Sequence, residues 1–268
     1  MKAAVVQTRG DKGLEGNLAD CAHWLDRATK AGAALVVLPE NFAYYGCRGL
    51  PRAGADESTP DGPVRRFLAS QAKQQGVWLL GGTIPVADTP DDKPHAASLL
   101  LSPQGEEVAR YNKIHLFDVD VEETGKSYRE SDDYRHGGDV VVAPTPLGNL
   151  ALSVCYDLRF PELYREMTAR GAEILAAPSA FTAATGRAHW ELLLRARAVE
   201  NLCYVVAANL ADRDHPSKAT WGGSAIVDPW GKVLASLDDE EGFAIADIDL
   251  ERLHSLRRQM PVLSHRRL

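Results

Sequence analysis

One pattern occurs twice in this chain. Residues 32–42 read GAALVVLPENF and residues 171–181 read GAEILAAPSAF, with Gly, Ala, Pro and Phe matching position for position. In both copies a helical segment precedes the Gly and a short apolar run follows it. Before the first copy, Leu18, Cys21, Ala22, Leu25 and Ala28 have the spacing of one helix face. The runs at 35–38 and 174–177 read as buried strands, each stopped by a Pro that cannot donate to a sheet ladder. The repeat implies two related halves, each with a β-α-β layer, joined through one core.

The remaining segments extend the alternation. Strands are expected at residues 3–7, 77–80, 140–142, 150–154, 204–208 and 244–248, with hairpins pairing 97–101 with 107–112 and 224–227 with 232–236. Helices are expected at 17–31, 64–75, 161–170, 190–202 and 250–258. Residues 44–63, 118–139 and 181–188 read as loops. Strands and helices alternating along the whole chain make α/β, or a layered α+β sandwich, the expected class. No polar linker divides residues 1–268, so one domain is expected, with a basic tail from about residue 261.

Composition excludes several roles. A net charge of −7 argues against nucleic acid as the main partner and against an acidic membrane surface. The apolar run at the N-terminus is too short for a signal peptide, and no run has the length of a membrane span. Cys21, Cys47, Cys155 and Cys203 lie far apart, without a CxxC pair. That spacing fits free thiols in a reducing cytoplasm better than a disulfide framework or a zinc site.

Three reactive side chains stand at the ends of apolar strands: Glu40 after 35–38, Lys113 after 107–112 and Cys155 after 150–154. Strand ends of one α/β layer open on a common crevice. There a cation favours the thiolate, and a carboxylate can take the thiol proton and later activate water. The ammonium can also face the oxyanion of a tetrahedral intermediate. Taken singly, each has a plain structural reading: a buried cysteine, a loop carboxylate, a solvated strand-end charge.

Three longer strings carry a family resemblance: LPENF around Glu40, RYNKIHLFDVDV around Lys113 and SVCYDLRFPELYR around Cys155. With their order and separation, the chain resembles the nitrilase superfamily of carbon–nitrogen hydrolases from residue 3 to about 267. The resemblance implies a Glu–Lys–Cys triad, a second site glutamate carried here by Glu130, and a four-layer αββα sandwich that forms homodimers or higher homo-oligomers. It implies no metal and no cofactor. YRES, PSAFTAATGRAHWELLLRARAVE and DPWG are most similar to the Nit branch, whose members act as amidases on deaminated glutathione or on ω-amides of α-keto acids. The expected activity is hydrolysis of a small carboxylate-bearing amide through a cysteine thioester, releasing an acid and ammonia. An ω-amidase, a nitrilase, an N-carbamoyl amidohydrolase and a non-enzymatic binding module on the same fold are the alternatives. Tyr156, Phe181, Thr182 and Arg187 are the candidate substrate-binding residues. Arg187 departs from the branch, which commonly has Pro there, and EETGKS before Tyr128 replaces a frequent Pro-Gly turn.

Other features read as structural. His115 is expected to make a structural hydrogen bond, and His189 to cap or pack a helix start. The arginines within 194–199 are expected on a solvated face or a subunit contact. No GxSxG motif and no GxGxxG or Walker spacing is present.

Overall fold

The computed structural model describes residues 1–267 apart from 48, 123, 124 and 217. The first half contains β1 (Lys2–Gln7), α1 (Gly13–Lys30), β2 (Leu35–Val37), α2 (Leu50–Asp56), α3 (Pro63–Gln75) and β3 (Trp78–Leu80). It continues through β4 (Ile84–Val86), β5 (His95–Leu101), β6 (Glu107–Asn112), β7 (Asp118–Val121) and β8 (Lys126–Arg129). The second half contains β9 (Val142–Thr145), β10 (Gly148–Leu152), α4 (Pro161–Ala169), β11 (Ile174–Ala176), α5 (Ala183–Asn201) and β12 (Tyr204–Ala207). The chain ends with β13 (Ala225–Val227), β14 (Val233–Ser236), β15 (Gly242–Asp247) and α6 (Leu250–Gln259). Two short 3-10 helices, Glu130–Asp132 and Cys155–Arg159, interrupt this series at the site.

Among the described residues one sheet has the order β15-β1-β2-β3-β5-β4, with β6 on β5. The other has the order β14-β13-β12-β11-β10-β9. In the first, β1, β2 and β3 run parallel between the antiparallel neighbours β15 and β5. In the second, β10, β11 and β12 run parallel between the antiparallel neighbours β9 and β13. The duplicated sequence therefore places its two copies at the same rank, β2 and β11, at the centre of each parallel trio.

The central strands are apolar throughout because both of their faces are covered. Alternation sends Ala3, Val5, Leu35, Val37, Leu80 and Leu100 into a core shared with the second sheet. Their neighbours Ala4, Val6, Val36, Leu38 and Leu79 pack outward on Cys21 and Leu25 of α1 and Leu68 of α3. On the far side, Leu163 and Met167 of α4 and Trp190, Leu194 and Ala198 of α5 cover the second sheet. The result is the four-layer αββα sandwich of the nitrilase type.

Three expected loops are ordered elements. Residues 44–63 contain α2, started by Gly49 at φ 84° and by a Pro in the first turn. Residues 118–139 contain the β7–β8 ribbon, and DVDV shows the polar–apolar alternation of a half-covered strand. The EETGKS segment spans residues 122–127, of which 123 and 124 lie outside the described residues. Residues 181–188 begin α5, because the Thr182 side chain caps it by accepting from the Thr185 N–H. The strand expected at 140–142 lies two residues later, and the expected helix at 190 starts seven residues earlier.

Candidate active site

Each reactive side chain is held by its own local device. The turn after β2 passes so close to the neighbouring loop that a Cβ on Gly82 would sit 1.9 Å from the Pro39 carbonyl oxygen. Asn41 adopts φ 54° there, a conformation open to Asn more than to most residues, and its N–H donates to Thr83 Oγ1. Glu40, between Pro39 and Asn41, is only 3% exposed. Lys113 extends β6: its N–H donates to Ala96 O and its carbonyl accepts from the Gly137 N–H. A Cβ on Gly137 would stand 2.1 Å from the Asn112 carbonyl oxygen, so only Gly passes there.

The strand before Cys155 ends two residues earlier than the apolar run 150–154 suggested. β10 stops at Leu152, and Cys155 opens a 3-10 helix with φ 46°. A non-glycine residue in that region is strained and must be held by its surroundings. The Cys155 N–H donates to Pro178 O, and the Ser153 N–H to Ala176 O. The Asp157 carboxylate accepts from the Val154 N–H at 2.8 Å.

The three groups converge from both halves. Lys113 Nζ donates to Glu40 Oε1 at 2.8 Å and to the two Glu130 oxygens at 2.9 and 2.8 Å. Glu130 arrives from the 3-10 helix that follows β8, and its Oε2 also accepts from the Phe117 N–H at 2.7 Å. The second oxygen of Glu40 accepts from the Ala180 N–H at 2.9 Å, across the junction of the halves. Burial pulls the Lys113 ammonium down, but the flanking carboxylates of Glu130 and Glu40 more than reverse this and hold it charged. Burial and the Glu40 carboxylate push the Cys155 thiol well up, against the pull of Lys113 and of the Ala180 N–H. Burial, with Glu40 nearby, also raises the Glu130 carboxyl. Burial and the Glu40 carboxylate thus favour the neutral thiol of Cys155 over the thiolate.

A cavity of about 390 Å³ opens on these groups. Glu40, Lys113, Glu130, Cys155, Tyr156, Phe181 and Thr182 all line it. Arg187 does not. It lies exposed in the second turn of α5 and faces a different groove, since the helix begins before it rather than after it. Besides Lys113, the cations among the described residues at the cavity wall are Arg159, Arg129 and Lys218. Arg159 lies over the Tyr156 and Phe181 rings at 5.9 and 5.7 Å and donates to His189 Nδ1 at 3.3 Å. His189 is accordingly an exposed residue inside α5, not a cap at its start.

Two further residues were not singled out by the sequence pattern. Arg197, expected on a solvated face, is buried and donates twice to Leu158 O at the end of the Cys155 3-10 helix. Asp157 is fully buried and joins the Cys155 turn to the Lys113 segment. Their signal was present: charged residues inside otherwise apolar helical periods, within a few positions of the cysteine or on the helix packed over it.

The carbon-nitrogen hydrolase family model matches residues 2–258. The deaminated glutathione amidase of Yersinia enterocolitica is 40% identical over 265 residues, covering 98% of this chain and 92% of that protein. The Caenorhabditis elegans NitFhit protein superposes with a TM-score of 0.90 at 38% identity, covering 99% of this chain and 65% of that one. A mutant amidase from Nesterenkonia sp. AN1, carrying the product of Michael addition of acrylamide at its active-site cysteine, superposes with a TM-score of 0.77 at 27% identity over 97% of this chain and 98% of that one. On the full-length family match, the 40% identity and the shared fold, this chain belongs to the carbon-nitrogen hydrolase family, as an amidohydrolase of the nitrilase superfamily.

Proposed function

We propose that the protein hydrolyses the amide of a small carboxylate-bearing substrate, with deaminated glutathione as the first candidate, through a thioester on Cys155. The observation that carries this reading is the junction of Cys155, Glu40 and Lys113 on one cavity, with Lys113 held between two carboxylates at 2.8–2.9 Å. The amidase from Nesterenkonia that reacts at its cysteine, and the name carried by the Yersinia relative, support it.

Glu40 takes the thiol proton as the Cys155 sulfur attacks the amide carbon. The carbonyl oxygen becomes an oxyanion between the Lys113 ammonium and the Tyr156 N–H. That N–H belongs to the first turn of a 3-10 helix, where intrahelical acceptors are lacking. Collapse breaks the C–N bond, and Glu40 returns its proton to the departing nitrogen. With an N-substituted amide the leaving group is an amine; with a primary amide it is ammonia. Water, deprotonated by Glu40, then attacks the thioester. Its collapse releases the acid and restores the thiol. Glu130 fixes the Lys113 ammonium and keeps it charged.

Arg159 takes over the carboxylate contact first expected of Arg187, because it is the guanidinium that stands on the cavity beside Tyr156 and Phe181. Tyr156, Phe181 and Thr182 form the wall. The four cysteines are free thiols, which supports a cytoplasmic location, and no helix among the described residues is long and apolar enough to cross a membrane. Leu192 and Val199, two turns apart on α5, are exposed together with Trp230 beside them. This apolar face supports a homodimer through α5. The whole chain, with its tail from about 261, is read as one catalytic domain.

The deciding measurement is acid release from deaminated glutathione, an ω-amide of an α-keto acid, and an uncharged amide of similar length. Turnover of the first two in preference to the third is expected. Equal turnover of all three would reduce the reading to a general aliphatic amidase.

A further inference from the structure

We propose that Asp157 is a positioning residue that sets the separation of nucleophile and cation by tying the Cys155 turn to the Lys113 segment. The proposal rests on the Cys155 chemistry above and deepens it. Asp157 is two residues after Cys155 and has no exposed surface. A buried carboxylate is tolerated only when its oxygens are fully engaged. Oδ2 accepts from the Val154 N–H at 2.8 Å and from the Tyr111 hydroxyl at 2.7 Å. Oδ1 accepts from the His115 N–H at 3.1 Å and meets His115 Nδ1 at 2.7 Å.

These partners fall on both sides of the reaction centre. Val154 belongs to the turn that forces Cys155 to φ 46°. Tyr111 and His115 flank Lys113 at two residues on either side. The Tyr111 hydroxyl also accepts from the Ile114 N–H at 3.3 Å, so the ring oxygen spans Lys113. His115 is stacked on Phe160, with ring centroids 3.6 Å apart and planes within 6°. Phe160 is the residue that closes the Cys155 3-10 helix. One carboxylate and one ring stack thus join the two segments at both ends of that helix. None of the four bonds reaches the cavity, so Asp157 acts through the groups it holds.

The strain at Cys155 gives this tie its consequence. A left-handed non-glycine backbone relaxes when its restraints go. Replacing Asp157 with Asn puts a donor NH₂ where the carboxylate accepted two bonds. Tyr111 can turn its hydroxyl, but the Val154 N–H then has no acceptor, or else the His115 N–H has none. The sulfur and the ammonium lose their common anchor, while the cavity wall and Arg159, clamped separately through Leu158 O by Arg197, stay.

The test uses the full-length protein and deaminated glutathione. Purified Asp157→Asn is expected to lose about 10–100-fold in kcat, the scale of a misplacement near the chemistry, with KM within about threefold of wild type. Cys155 should still be alkylated to completion by iodoacetamide, which counts intact sites. Tyr111→Phe and His115→Ala, milder changes that keep the Val154 bond, should each lower kcat less. Either one combined with Asp157→Asn should add less than the product of the single effects, since they act through one carboxylate. Unchanged kcat per alkylated site in Asp157→Asn would overturn the proposal, as would fully multiplicative losses in the double variants. If Asp157→Asn does not fold, the kcat and KM of Tyr111→Phe and His115→Ala decide, and unchanged values in both overturn it. Full activity of Cys155→Ala would instead remove the proposed function itself.

Discussion

After β2 and after β11 the chain makes the same apolar run, the same Pro and the same Phe three residues on, yet the two turns contribute different things. The first turn presents a side chain: Glu40, from a backbone pinned by Asn41 and Gly82. The second presents main chain: Pro178 O holds the Cys155 N–H and the Ala180 N–H holds Glu40 Oε2. Glu40, Lys113 and Glu130 all come from the first half, and the cysteine with its neutral donors from the second. A duplicated layer can diverge this way because the two turns face each other across the junction of the halves. The first turn contributes a charge, and the second contributes rigid, neutral hydrogen-bonding groups. Glu40 in one half thereby rests on an N–H of the other, and the cavity lies at that junction.

Removing the second half's nucleophile should have the largest effect. Cys155→Ala is expected to lose about 10⁴–10⁶ in kcat, as when a covalent nucleophile is deleted, with the far-ultraviolet spectrum and the oligomer unchanged. Residual turnover within a hundredfold of wild type would sink the thioester route. Next comes the bridge between halves. Glu40→Gln should cost about 10²–10⁴ in kcat, the scale of a general base, and speed iodoacetamide labelling of Cys155 at neutral pH, because the carboxylate that pushes the thiol up is gone. In the unmodified protein that labelling should keep rising with pH past the ordinary thiol range, because the thiol is pushed up by burial and Glu40. A rate already flat at neutral pH would show a standing thiolate instead.

Lys113→Met breaks the first half's charge balance. A loss of about 10²–10³ in kcat is expected from one missing oxyanion partner. It also leaves Glu40 and Glu130 buried without their cation, which costs about 3–5 kcal/mol of stability in comparable cases. The sign with pH follows from Glu130, whose carboxyl burial and Glu40 already raise and which loses the opposing pull of Lys113 in the variant. Its neutral form is favoured in the folded state, so the stability deficit should shrink as pH falls and grow as pH rises through that raised value. Chemical denaturation of wild type and variant at pH 5 and pH 8 checks this; a deficit independent of pH contradicts it. The smallest effects separate two arginines. Arg159→Ala should raise KM for carboxylate-bearing amides about tenfold, equivalent to 1.4 kcal/mol, and leave an uncharged amide alone. Arg187→Ala should change KM by less than about twofold, the usual outcome at an exposed site. A reversal of these two would return the carboxylate contact to α5.

Much of this arrangement was legible in local pattern. Short apolar runs with Pro stops marked β2 and β11, and the repeat placed them at equal rank. The helical period marked α1 and most of α5, and Pro and Gly signals marked the bounds of α3 and α4. The loops failed where the local cue was brief. α2 is seven residues long, β7 and β8 carry charges on the open face of a ribbon, and the first turn of α5 is made of Ala, Thr and Gly. Arg187 was misjudged for the same reason, since its reach depends on where α5 begins. Arg197 was misjudged because helical spacing says which residues share a face, not what packs on that face.

The sequence alone determined the parallel strands at the centre of both sheets, the two-half architecture and the chemical types standing at three strand ends. These depend on side-chain period, Pro geometry and residue identity, which are local properties. Only the tertiary structure decided that Glu40 Oε2 meets the Ala180 N–H, that Glu130 joins Glu40 on Lys113, and that Asp157 bonds both the Cys155 turn and the Lys113 segment. Residues 40 and 180, or 113 and 157, come together through the packing of two sheets. That packing is set by the summed burial of both inner faces, and no short window of sequence contains that sum.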